Sequence, residues 1–115
     1  MHDDTENKSK GLPPGQVAKV VDHVHHQEGA IVSREIVKKA AGTVTVFAFD
    51  EGQGLSEHTA PFDALAHVLE GEAEVVISRQ PHRVAAGEMI LMPAHQPHAL
   101  KALKPFKMVL TMIRS

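Results

Sequence analysis

The chain has 115 residues, of which 43% are hydrophobic and 23% charged, enough for one domain with a buried core. A formal charge of −2, with the nine histidines neutral, provides no broad field for steering toward nucleic acid. The lack of cysteine excludes disulfides, thiolate nucleophiles and cysteine–zinc sites, and fits a reducing compartment.

Residues 1–15 begin polar (MHDDTENKSK) and end rich in glycine and proline (GLPPG), which reads as a disordered lead to a single domain over residues 16–115. The lead is the opposite of a signal peptide, and no apolar run approaches the about 20 residues of a membrane span. A cytoplasmic protein with neither membrane nor nucleic acid as partner is expected. Residues 16–24 carry VAKVV, and His23, His25 and His26 follow as a strand start or loop rather than a metal cluster. From residue 30 the punctuation is that of a β protein. AIVSREIVK reads as a strand, and TVTVFAFD as a stronger one, filled with β-branched and aromatic residues. DEGQG (residues 50–54) is a turn, and LSEHTA a short extended piece ended by Pro61.

DALAHVLE has helical propensity in its two alanines and two leucines, but Pro61 precedes it, Gly71 stops it and EAEVVIS follows at once, so a strand is expected. SRQP makes the next turn, short strands surround Gly87, and FKMVLTMI is the last strand. In that last strand Phe106, Met108, Leu110 and Met112 share one face. In TVTVFAFD, Phe47 and Phe49 share one face and Val44, Val46 and Ala48 the other, with the inward face left open. Many short strands between glycine and proline turns define an all-β sandwich or barrel.

Two stretches answer each other: GQGLSEHTAPFDALAHVLEG (residues 52–71) and GEMILMPAHQPH (residues 87–98). They resemble the two motifs of the cupin family, G-x5-H-x-H-x3,4-E-x6-G and G-x5-P-x-G-x2-H-x3-N. Gly52, His58 and Gly71 fit the first; Ala60 stands at its second histidine and Ala64, beside Asp63, at its acid. Gly87, Pro93 and His98 fit the second, with His95 at its glycine and Ala102 at its asparagine. The resemblance implies an all-β double-stranded β-helix (jelly-roll) barrel. It also implies one divalent transition metal (Zn, Fe, Ni or Mn) in chains that keep three histidines and a glutamate. This chain keeps two of those four positions. Homodimers are common in cupins of this size, and VAKVV with AIVSREIVK supplies candidate N-terminal edge strands.

His58 and His98 are expected to meet inside the barrel mouth from strands on opposite walls. Two imidazoles make a weak metal site, because a catalytic zinc usually has three protein ligands. His95, Glu57, Asp63 and His67 are the possible third ligands. His95 ranks first, in the loop before His98, and His67 points outward if Ala64 and Ala66 point in. Ala60 and Ala64 leave room where ligands stand in the family motif, which fits a pocket for a small molecule. The expected lining is Phe49, Leu55, Ala60, Phe62, Ala64, Met92, Phe106 and Met108, with Phe47 and Met112 beside them. Three functions follow. One is small-molecule binding around His58 and His98, with or without a divalent metal. The second is a metal-dependent dioxygenase or isomerase. The third is a ligand-sensing module. Proton transfer by either histidine is open, whereas no nucleophile elbow surrounds Ser56 and GQG is too short for a phosphate loop.

Overall fold

Strands form where apolar and β-branched residues alternate between turn formers. The computed structural model describes residues 11–114 and contains nine of them. They are β1 (Ile31–Lys39), β2 (Gly42–Phe49), β3 (Gly54–His58), β4 (Phe62–Glu70), β5 (Glu72–Ile77), β6 (Gln80–Ala85), β7 (Met89–Met92), β8 (His98–Ala102) and β9 (Phe106–Arg114). One sheet is ordered β1-β2-β9-β4-β7 and the other β3-β8-β5-β6. The pairings within them are antiparallel. Two such sheets closing on one core are the expected jelly roll.

β4 shows alternation overriding helix propensity. Its inner positions Ala64, Ala66 and Val68 are buried while His67 is exposed. Gly71 then turns the chain into β5 with φ +80°, and a Cβ there would collide with the Pro105 carbonyl and with Phe106. The turn from β5 to β6 is a two-residue loop in which Ser78 and Arg79 both take positive φ, 48° and 68°, the conformation that matches strand twist in tight hairpins.

β2 buries both faces. Phe47 and Phe49 belong to the main core with Phe106 and Met108, while Val46 and Ala48 form a second cluster with Val24 on the outer side. This second cluster corrects the expectation of a strand at VAKVV. The segment instead makes a 3-10 turn, Val20–Asp22, and lays Val24 against β2. Lys107, 8% exposed, fixes it from below: its Nζ donates to the Val21 carbonyl at 2.6 Å and pairs with Glu70 at 3.2 Å. Residues 1–10, most of the expected disordered lead, lie outside the described residues, as does residue 115. At residues 11–15 the Leu12 N–H bonds the Ile36 carbonyl of β1 at 2.8 Å. Among the described residues no helix is long and apolar enough to cross a membrane.

Candidate functional site

β3 and β8 are antiparallel neighbours whose register sets His58 opposite His98. Leu55 pairs with Leu100 and His58 with His98, so β3 carries one residue more than β8 between the two pairs. That bulge turns His58 onto the same face as Leu55; unbroken alternation would send it to the other side. The two histidines therefore meet, but as cross-strand partners of one sheet and not from opposite walls as the sequence reading had them. Their ring centroids are 4.4 Å apart and the rings cross at 69°. His58 is exposed at the mouth, and His98 is 5% exposed.

Each ring is oriented by its own strand. His58 Nδ1 lies 2.8 Å from the Ser56 carbonyl and His98 Nδ1 lies 3.2 Å from the Gln96 carbonyl. A carbonyl only accepts, so each Nδ1 carries the donated proton, and in the neutral ring Nε2 is left with a lone pair. Burial holds the His98 pKa below its ordinary value; the Gln96 carbonyl opposes this and the charge on a protonated His58 adds to it.

Between the sheets, beside this pair, lies a cavity of about 320 Å³. Leu55, Ala60, Phe62, Ala64, Met92 and Met108 of the expected lining border it, together with Thr59, Pro61, Leu100, Leu110 and Met112. Phe49 and Phe106 do not. They stack on each other at 4.6 Å in the closed part of the core, fully buried, so two expected lining residues are packing residues. Phe47 packs against the same cluster. Leu100 and Leu110 were missed by the sequence reading, although Leu110 shares the inner face of β9 with Met108 and Met112.

The expected third metal ligands do not converge. His95 is exposed in the turn between β7 and β8, outside the cavity lining. It takes φ +67°, which explains why the family motif has glycine there, and its N–H bonds the Ala60 carbonyl at 2.8 Å. Asp63 accepts from the Ala94 N–H at 2.8 Å, and Glu57 and His67 are exposed. Among the described residues no group of three or more histidine, aspartate or glutamate side chains could hold a metal ion. Two imidazoles without a carboxylate do not fit a firmly held divalent ion. His25 and His26 are exposed, and His26 lies 4.0 Å from Glu70.

The cupin-domain family model matches residues 45–114, which hold both motifs from the first histidine to the last strand. A conserved protein of unknown function from Streptococcus pyogenes superposes with a TM-score of 0.87 at 34% identity, covering 92% of this chain and 93% of its own. A conserved-barrel cupin protein from Leptotrichia buccalis is 38% identical with a TM-score of 0.79 over 82% of this chain, which matches 46% of that longer protein. A cupin superfamily protein from Desulfitobacterium hafniense shares the fold at 24% identity, with a TM-score of 0.85 over 92% of this chain and 97% of its own. No curated protein matches. From the strand order, the motif residues around the cavity and these likenesses together, the chain belongs to the cupin family.

Proposed function

We propose that this cupin holds a small, largely apolar organic molecule between its sheets, with His58 and His98 as the polar contacts. The observation that carries the reading is the lining: leucine, methionine, alanine, phenylalanine and proline on most sides, with His58, Thr59 and His98 as the polar side chains. At about 320 Å³ the cavity suits a single ring or a short branched chain. The methionine methyl NMR signals provide the test, because the cavity is bordered by Met92, Met108 and Met112 whereas Met89 faces outward, 67% exposed. Adding 4-methylphenol should move the first three signals and leave Met89 in place. Unmoved signals, or movement of Met89 alone, would remove the reading.

A divalent metal is the alternative occupant. It would find two imidazoles and take its remaining ligands from water, so protein purified without an affinity tag should carry less than one equivalent. One full equivalent, lost in a His58→Ala/His98→Ala double variant, would replace the organic-ligand reading. We also propose a homodimer. VAKVV folds back on its own chain while AIVSREIVK forms the edge strand β1; the pairing surface of this dimer is the outer face of β7 and β9, where Met89, Leu91 (52%) and Ile113 (59%) are exposed. Light scattering should give twice the chain mass, and Leu91→Lys should halve it; a parent of single-chain mass rejects the dimer.

A further inference from the structure

The two imidazoles also define what kind of polar group the occupant must bring, an inference that rests on the small-molecule reading above. Both Nδ1 atoms are committed to backbone carbonyls, those of Ser56 and Gln96. Both rings border the cavity and, when neutral, each keeps its one lone pair on Nε2; the remaining polar side chain of the lining is the Thr59 hydroxyl at the exposed rim. A ligand that displaces water from these acceptors without offering a donor leaves them unpaired, which is costly, so a molecule that offers a donor gains over one that cannot. The charge of that donor group is constrained as well. The lining of Leu100, Met92, Met108 and Ala64 offers no counter-charge to an ammonium group. A carboxylate would bring more lone pairs toward the two already there, and burial disfavours the protonated His98 that would receive it.

We infer that the cavity selects a neutral ring compound bearing a hydroxyl, a phenol, with its O–H donating to a histidine Nε2 and its ring among the methionines. Phenolic O–H is a stronger donor than an aliphatic alcohol and suits an imidazole acceptor. The three thioethers of Met92, Met108 and Met112 favour an aromatic body, because sulfur and ring faces or edges attract. No bond is made or broken. The O–H proton stays on the ligand oxygen, shared with the lone pair of a neutral imidazole.

The test uses the full chain at pH 8 and four compounds: 4-methylphenol, its methyl ether 4-methylanisole, 4-methylbenzoate and 1,4-dimethylbenzene. Titration calorimetry should rank the phenol first, about two- to tenfold tighter than its ether, the size of one neutral hydrogen bond. The ether and dimethylbenzene should bind alike, and the benzoate more weakly than the phenol. An ether that binds as tightly as the phenol would overturn the donor inference while leaving the apolar pocket standing. Tighter binding of the benzoate would overturn it in favour of an acid that protonates the pair. If none of the four binds, the pocket reading falls with the inference. Long-range nitrogen–proton NMR of the ligand-free protein gives an independent check. Both rings should show a protonated Nδ1 and a bare Nε2 at pH 8, and a protonated Nε2 on both would overturn the assignment whatever binds.

Discussion

The two ends of the sandwich use the same strands to opposite effect. At one end Phe106 of β9 pairs with Phe49 of β2 and the rings stack at 4.6 Å and 10°, both fully buried. Val68, Ala73, Val84 and Ala102 complete this end of the cluster. Toward the other end the inner face of β9 changes from Phe106 to Met108, Leu110 and Met112, and that of β4 from Val68 to Ala66 and Ala64. Ala64 stands beside Met112, and the space left there opens onto His58 and His98. The backbone ladder between β4 and β9 is intact across that stretch, from Ala64 to Val68. The cavity is thus a matter of side-chain volume, a short residue where the closed end has a long or branched one.

This difference can be broken most severely at the closed end. Phe106→Ala removes one of the stacked rings from a fully buried place, and should lower unfolding free energy in denaturant by about 3–5 kcal/mol. A loss below about 1 kcal/mol would show that this end is not the packed half. Gly71→Ala comes next. It places a Cβ at φ +80° against the Pro105 carbonyl and Phe106, and should cost about 1–3 kcal/mol from the backbone conformation, with the collision added. The same enlargement made at each end then sharpens the contrast. Ala73→Leu, inside the closed cluster, should cost about 1–3 kcal/mol through overpacking. Ala64→Leu should stay within about 1 kcal/mol of the parent, because its added atoms enter open space, and should abolish binding of 4-methylphenol. Equal costs at the two positions would contradict the volume argument.

The strands were readable because each carries its own alternation and turn residues. Even DALAHVLE, with helical propensity, was fixed by Pro61, Gly71 and the strand that follows. VAKVV was misread because its valines look the same whether they pair along an edge or drop Val24 onto the outer face of β2; the tie that decides it, Lys107 to the Val21 carbonyl, spans 86 residues. Phe49 and Phe106 were misassigned for a related reason. Alternation says that a side chain points inward, and not at which end of the interior it stops. The meeting of His58 and His98 came out of motif spacing, but their facing each other within one sheet depends on the pairing of β3 with β8 and on a bulge that leaves no mark in LSEH.

The mildest contrast between the ends is electrostatic. Phe49 and Phe106 at the closed end stack as apolar rings, whereas the open end buries the imidazole of His98. Burial lowers its pKa from the ordinary value of 6.5, so the unfolded chain takes up a proton there at a pH where the folded chain does not. More protons bound to the unfolded state means that stability rises with pH. This contribution is therefore constant above pH 6.5, falls as the pH drops below it, and levels off once the folded ring protonates. The quantity that isolates His98 is the difference between parent and His98→Gln in denaturant at pH 8 and pH 5.5. The parent should lose more stability than the variant over that interval, and its affinity for 4-methylphenol should fall with it as Nε2 is protonated. A parent that loses no more than the variant would mean that His98 is as well solvated as a surface histidine, and the open end would then have to be wetter than its apolar lining implies.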